Sequence, residues 1–304
     1  MTSDPVALTA LAAWCFAVAL AGGLAGLVLG NIRLPAVLAA ASSPAAGSGA
    51  NIGISGIAAA AASIAHIRAG RVNWRLFAWM APPSIIGAVA GALAAGTIPD
   101  QILLSVIGAT LLYFGVDLLR PSRAPKAQPR ERLDIRAAVI SGALIGLLGG
   151  LVGLILGTLR MPALLRHVGE TAQRAVGTNL CVGVCVGAAG VVGHTPDGLD
   201  WGLLAIGGAA SIPGAIIGAR LTGRLSTEQL LRAIGALLVV AGVAILVSAG
   251  SATAEARDGY AATAQERSAT LATAATISAP WPTSQPLHLR SLFTLHAGIF
   301  RTVA

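Results

Sequence analysis

The sequence predicts an all-α polytopic membrane protein made of two inverted-topology repeats of transmembrane helices. Three observations predict this fold: the composition, an internal repeat, and the charges of the loops. Hydrophobic residues make up 55% of the 304 residues, charged residues make up only 11%, and 38 residues are glycine. A soluble domain carries about 25% charged residues to solvate its surface. The composition therefore excludes a soluble globular protein, and it excludes disorder over most of the length.

An internal repeat divides the chain into two halves. Residues 22–36 read GGLAGLVLGNIRLPA and residues 149–163 read GGLVGLILGTLRMPA, which gives ten identities in fifteen positions at an offset of 127. A register kept over about a hundred residues indicates a duplicated unit. We predict four regions, namely a first transmembrane repeat at 6–119, a basic linker at 120–135, a second transmembrane repeat at 136–249, and a polar, disordered tail at 250–304 with an interfacial helix at 287–300.

Each half contains four apolar runs close to the roughly 20 residues that a helix needs to span a bilayer. We expect every run to be helical, because lipid offers no hydrogen-bond partner to bare backbone groups. The runs are 6–29, 46–65, 74–96, 101–119, 136–158, 174–193, 201–219 and 229–249.

A shorter stretch lies between the first two runs of each half, at 35–45 and at 162–172. Pro35 and Pro162 begin these stretches, and proline removes a backbone donor and disfavours helix in the residue before it. We expect helix breaks at 30–35 and 157–162. The sequence therefore predicts broken or re-entrant segments near 30–45 and 157–172.

Glycines recur every fourth residue in matching places of the two halves. Small residues at this spacing form a stripe along which a neighbouring helix can approach closely. The stripes permit a homodimer as readily as packing within one chain. They are Gly22, Gly26 and Gly30, their copies Gly149, Gly153 and Gly157, and the pairs Gly87/Gly91 and Gly214/Gly218.

The loops of the two halves carry opposite charge. The basic segment 66–75 corresponds to the acidic segment 193–200, and the acidic turn 97–101 corresponds to a basic segment containing Arg220 and Arg224. Arg and Lys favour the cytoplasmic side, so the linker 120–135 is expected there and the halves are expected to be inverted. Inversion needs an odd number of crossings in each half, so we expect five segments per half. We expect the protein to lie in the cell's inner or plasma membrane, with both termini on the outer side.

Arg33 and Arg160 occupy the same position in the two repeats. An arginine at membrane depth costs about 2.5–3.5 kcal/mol on insertion scales, so its presence asks for a function. Broken helices at a repeat interface are where inverted-repeat transporters bind substrates. Free N–H groups near Gly30 and Gly157 favour an anion, and a guanidinium adds a bidentate donor. The alternative is that both arginines lie at the membrane surface and extend to lipid headgroups.

Asn51 and Asn179 form a second matched polar pair. Their amides can orient an oxyanion or coordinate a cation, or they can form an interhelical hydrogen bond worth about 0.6 kcal/mol. Thr178 and Ser48 are supporting candidates for substrate binding. Glu170 is interpreted as a solvated loop residue, with a proton relay beside Arg160 as the alternative.

No catalytic motif is present, and the chain is predicted not to be an enzyme. No spacing typical of a metal site occurs, so we expect no metal and no cofactor. The three cysteines lie in apolar runs and are interpreted as packing residues. The formal charge of +8 rests on arginines in short loops, which indicates contact with the lipid bilayer rather than with nucleic acid.

The repeat element resembles that of the TauE/SafE family of membrane transporters. The resemblance rests on GLAGLVLGNIRLP ending at Pro35, its copy GLVGLILGTLRMP ending at Pro162, and the loop HIRAGRVNW at 66–74, and it covers about 6–249. It implies transport of sulfite, sulfonates and related sulfur-containing organic anions. The chain departs from the family pattern where the arginines stand at usually apolar positions and where the triple glycine is reduced to one.

We expect a transporter that exports small organic or sulfur-containing anions by alternating access. A small anionic substrate would lie between the halves, held by the two arginines, the two asparagines and the free backbone N–H groups. A cation-coupled importer of small organic anions, using protons or sodium, is one alternative. A membrane scaffold that transports nothing is the other.

Overall fold

The computed structural model describes residues 5–94, 99–120, 133–152, 155–194 and 199–250, all within one compact unit. These residues form helices and no β-strand. Six helices are long and apolar enough to cross a membrane, and a seventh apolar helix, Ile135–Leu151, is shorter. The predicted class, an all-α polytopic membrane protein, is confirmed. The predicted interfacial helix at 287–300 and most of the linker lie outside the described residues.

Within the described residues each half contains five α-helices in the same order, at the spacing of the repeat. All eight apolar runs form one long helix each, and a short helix lies after the first long helix of each half. The helices are α1 (Pro5–Ala25), α2 (Gly30–Ala40), α3 (Pro44–Arg68), α4 (Trp74–Leu93), α5 (Asp100–Leu119), α6 (Ile135–Val152), α7 (Gly157–Pro162), α8 (Ala172–His194), α9 (Trp201–Thr222) and α10 (Thr227–Gly250).

The break in the first half lies earlier than the sequence predicted. Gly26 has a positive φ of 69°, and the N–H of Leu27 donates to the carbonyl of Gly22 at 2.9 Å, so α1 ends in a Schellman motif. Helix resumes at Gly30 with Pro35 inside it. The prediction of a break at 30–35 is wrong, because a glycine turn makes the break and proline removes only one bond of a short helix.

The break in the second half is displaced in the same direction. Helix α6 ends at Val152 and α7 begins at Gly157, so the predicted break at 157–162 is also wrong. Pro162 ends α7, and the chain continues as a π-helical turn over Ala163–Val168. In the first half the predicted stripe of Gly22, Gly26 and Gly30 therefore crosses the break. In the second half Gly149 lies in α6 and Gly157 begins α7, so that stripe does not lie on one helix either.

The first helix of each half packs against a helix of the other half, and we call each such pair an exchanged pair. Helix α1 packs along α9, and its counterpart α6 packs along α4. At these contacts the backbones touch, because a Cβ at Gly218 would lie 2.1 Å from the carbonyl oxygen of Leu20 and one at Gly91 would lie 2.1 Å from that of Leu147. The glycine stripes at 87/91 and 214/218 therefore act as predicted, and each joins one half to the other.

Equivalent helices of the two halves run in opposite directions. Gly187 of α8 lies against Gly56 of α3, and Gly190 further along α8 meets Ile52 earlier in α3, so these helices are antiparallel. Helices α5 and α10 are antiparallel as well, since Gly108 meets Gly242 and Gly115 meets Gly235. The repeats are related by inversion, as the loop charges predicted. We call the contact of Gly56 with Gly187 the α3–α8 crossing.

Positive charge collects at one end of the bundle. Helices α3, α5 and α9 end there, and α4, α6, α8 and α10 begin there. We call this the basic end, because every described arginine except Arg33 and Arg160 belongs to it. These residues are Arg68, Arg71, Arg75, Arg120, Arg136, Arg166, Arg174, Arg220, Arg224 and Arg232. An excess of Arg and Lys at one end is the feature that distinguishes the cytoplasmic end of a membrane protein from the opposite end.

Matching N-caps fasten each half to the other. Asn73 and Asp200 are equivalent, and their side chains accept from Leu76 N at 3.1 Å and from Leu203 N at 3.1 Å. Each also bonds the loop after the short helix of the opposite half, Asn73 through the Glu170 carboxylate and Asp200 through the N–H of Ser42. Both ends of the bundle are tied in the same way.

Substituting Gly218 by alanine tests the close approach of α1 and α9. The added methyl group would overlap the Leu20 carbonyl, so we expect the free energy of unfolding to fall by about 1–3 kcal/mol. Gly56→Ala is the matched control, because a Cβ there has no neighbour closer than 3.9 Å. Thermal unfolding in detergent measures both variants. Equal Tm values for Gly218→Ala and wild type would contradict the packing described here.

Candidate functional site

The two short helices begin next to each other in the interior. Gly30 and Asn31 of α2 and Thr158 of α7 line one cavity of about 10 Å³, together with Asn51 and Ser55 of α3. No side chain caps either helix, since neither Leu29 nor Leu156 offers an acceptor. The first N–H groups of a helix have no intrahelical partner and carry partial positive charge. The arrangement therefore concentrates positive potential between the halves.

Arg33 is buried beside this cavity, at 2% exposure. Its Nε donates to Asn51 Oδ1 at 3.0 Å, and its Nη2 donates to the Asn51 carbonyl at 2.9 Å and to Ser55 Oγ at 2.6 Å. Asn51 in turn donates through Nδ2 to the carbonyl of Gly30 at 3.1 Å. These bonds hold the guanidinium against the start of α2.

Arg160 is buried to the same degree but has fewer partners. Its exposure is 1%, and its Nη1 donates to Asn179 Oδ1 at 3.3 Å. Its Nε is buried and has no hydrogen-bond partner among the described residues. The difference arises on the facing helix, where Ser55 stands one turn after Asn51 and Gly183 stands one turn after Asn179. Arg160 therefore keeps an open donor in the interior.

Asn179 connects the two chain breaks. Its Nδ2 donates to the carbonyl of Gly26 at 2.6 Å and to the carbonyl of Gly157 at 2.8 Å, and the residue is fully buried. Gly26 belongs to the first half and Gly157 to the second. One amide thus bonds a carbonyl in the break of the first half and the carbonyl that begins α7 in the second half.

The predicted residues form two pairs rather than one cluster. Arg33 bonds Asn51 and Arg160 bonds Asn179, and within the described residues no hydrogen bond joins the two pairs to a common group. Because α3 and α8 are antiparallel, Asn51 and Asn179 lie on opposite sides of the α3–α8 crossing, with Asn179 nearer the basic end. Both arginines are buried, which does not fit the alternative that they extend to lipid headgroups.

Two supporting candidates lie elsewhere. The Thr178 hydroxyl accepts from the N–H of Asn73 at 3.0 Å, so it fastens the loop before α4. Ser48 is half-buried in α3, outside the lining of the central cavity. Glu170 is 5% exposed, and the interpretation of it as a solvated loop residue is wrong, because its carboxylate accepts from Asn73 and from the N–H of Thr171.

Two residues of the site were missed by the sequence reasoning. Ser55 bonds Arg33 directly, and the signal for it was its position four residues after Asn51, on the same face of a helix. The Gly26 carbonyl is bound by an amide from the other half, and no pattern in the sequence indicates that contact.

The site carries positive charge that no carboxylate offsets. Among the described residues the ion pairs are Arg166 with Asp117 and Arg232 with Glu228, and neither involves Arg33 or Arg160. The same part of the chain contains no group of three side chains able to hold a metal ion. A site of this charge can attract an anion and would repel a cation.

Comparison with known proteins gives one match. The family model described as Sulfite exporter TauE/SafE matches residues 11–245. The chain belongs to the TauE/SafE family. No curated protein and no solved structure matches it.

Family membership covers both halves and the site between them. The matched residues run from within α1 to within α10 and include both short helices and both Arg–Asn pairs. The TauE/SafE chain is therefore a multi-pass membrane transporter, as the repeat element predicted. The expectation that it is not an enzyme agrees with membership of a transporter family.

Replacing Asn179 by alanine tests its role at the two breaks. The carbonyls of Gly26 and Gly157 would lose a buried donor, and each such loss costs about 1–3 kcal/mol. We expect a lower Tm in detergent than for Asn31→Ala, whose half-buried amide makes one bond of 3.4 Å to the Ala241 carbonyl. A Tm loss for Asn179→Ala no larger than that for Asn31→Ala would disprove the role.

Proposed function

We propose that this TauE/SafE protein exports small oxyanions, such as sulfite, organosulfonates or carboxylates, across the inner or plasma membrane by alternating access. The observation that carries the proposal is the pair of buried guanidiniums without a carboxylate partner among the described residues. A buried cation is costly to keep unless a counter-ion joins it. A transported anion supplies that counter-ion.

Backbone geometry favours the same ligand. The N-termini of α2 and α7 meet at the central cavity without side-chain caps, and helix N-termini stabilise anions. A sulfite or sulfonate group offers pairs of oxygens that can accept together from the guanidinium fork. Its oxygens can also accept from the second N–H of the Asn51 amide, since the first donates to the Gly30 carbonyl.

The two Arg–Asn pairs suggest an order of binding. Arg160 and Asn179 lie on the side of the α3–α8 crossing nearer the basic end, which we assign to the cytoplasm. Arg160 also has the open Nε donor. In the proposed cycle the anion binds first at Arg160, and movement of the α1–α9 pair against the α4–α6 pair then presents it to Arg33 on the far side.

The closed interior supports a cycle of this kind. The cavity between the short helices holds about 10 Å³ and the one beside Arg33 about 20 Å³, room for roughly one water molecule each. A polyatomic anion needs more space, so the helices around the cavity must move apart to admit it. Inverted repeats supply two equivalent openings, one at each end.

Transport by the double variant Arg33→Gln/Arg160→Gln is the test. In proteoliposomes loaded with unlabelled anion, we expect counterflow of labelled sulfite, sulfonate or carboxylate to fall at least tenfold in this variant, because the two positive charges that bind the anion are removed. Arg75→Gln/Arg224→Gln is the matched control, since both arginines are exposed at the basic end. Normal counterflow by the site variant, with the control also active, would overturn the site assignment.

The alternatives have their own outcomes. Uptake driven by a proton or sodium gradient, with no efflux in the opposite orientation, would favour the cation-coupled importer. No counterflow and no anion-dependent change in Tm for the wild-type protein would favour a membrane scaffold.

A further inference from the structure

A groove separate from the central site runs between α3 and α9. Its volume is about 680 Å³, and its floor and walls are mainly alanine and isoleucine side chains, including Ile57, Ile64 and Ile216. Three arginines close it at the basic end, Arg68 and Arg71 from the end of α3 and Arg220 from the end of α9. The groove is thus apolar along the helices and cationic at one tip.

We propose that this groove binds an anionic phospholipid, with an acyl chain between α3 and α9 and the phosphate at the three arginines. The volume suits an acyl chain, and the apolar lining is what hydrocarbon requires. None of the described lining residues is acidic, so the phosphate meets cationic side chains alone. Basic pockets between transmembrane helices at the cytoplasmic side recognise anionic headgroups in this way.

Arg71 is fixed in place at the tip. Its Nη1 donates to the carbonyl of Ala219 at 2.9 Å, near the end of α9, and a methyl group at Gly223 would collide with its Nη2. The side chain therefore bridges from the loop after α3 to the last turn of α9. Arg68 and Arg220 are exposed and free to turn toward a headgroup.

The repeat provides an internal comparison. The inverted counterpart of the α3–α9 contact is the contact of α8 with α4, at the opposite end of the bundle. There the residue equivalent to Arg220 is Leu93, which is 85% exposed. Packing of the repeat does not itself require an arginine at this position. The arginine is present where the bundle faces the basic side, and that is where an anionic headgroup would be met.

Such a lipid would fasten the halves together. Arg68 and Arg71 belong to the first half and Arg220 belongs to the second, so one phosphate bound by all three bridges the repeat interface. The inference is independent of the substrate, because no groove residue belongs to the central cavity or to either Arg–Asn pair.

The test is lipid binding by the purified full chain. Delipidated protein is titrated with phosphatidylglycerol or with phosphatidylcholine, and bound lipid is counted by native mass spectrometry while Tm is followed in detergent. We expect wild type to retain phosphatidylglycerol at least tenfold better than phosphatidylcholine, and to gain several degrees in Tm from it. Arg68→Gln/Arg220→Gln should lose this preference, whereas Arg75→Gln/Arg224→Gln, altered at the same end but outside the groove, should keep it.

A second variant examines the apolar part of the groove. Ala60→Trp places an indole where the acyl chain is proposed to lie, so it should reduce retention of phosphatidylglycerol with all arginines present. Equal retention of both lipids by wild type, unchanged retention in either groove variant, or the same gain in Tm from inorganic phosphate alone would overturn the proposal. The last result would show that the arginines bind a free anion rather than a lipid.

Discussion

The interior of this bundle depends on satisfying backbone groups at two breaks in its helices. Each half interrupts its first helix inside an apolar assembly, where an unbonded carbonyl or N–H group is costly. Asn51 donates to the carbonyl of Gly30, Asn179 donates to those of Gly26 and Gly157, and each also accepts from a buried arginine. The amides therefore do two things at once. They bond backbone carbonyls at the breaks, and they hold a guanidinium beside the start of a short helix.

Inversion of the repeats determines how these elements meet. Because α1 packs on α9 and α4 on α6, neither half forms a bundle alone, and the short helices are enclosed by segments from both. Close backbone contacts at Gly91 and Gly218 leave little freedom within each exchanged pair. Movement that opens the interior is then expected between such pairs, with their internal packing preserved. The ties at Asn73 and Asp200 are the bonds that such a movement must break at either end.

Much of the fold was predictable, because a repeat and eight apolar runs leave few arrangements in which all backbone groups are hydrogen-bonded within the bilayer. Loop charges predicted the inversion that the antiparallel α3 and α8 display. The first break was placed four residues too late, because Pro35 was given the role that Gly26 and its left-handed backbone perform. Glycine stripes at 87/91 and 214/218 indicated close contact, but a stripe does not specify its partner. The pairing of each Arg with its own Asn likewise depends on a register between α2 and α3 that no sequence pattern fixes.

The central claim is that the buried guanidiniums beside the short helices bind the transported oxyanion. An experimental structure determined with selenite, whose selenium gives an anomalous signal, tests it most directly. We expect a selenium peak in the interior, with the selenite oxygens within hydrogen-bond distance of Arg160 Nε or of the Arg33 guanidinium. A protein that transports selenite but shows peaks only at the exposed arginines of the basic end would contradict it.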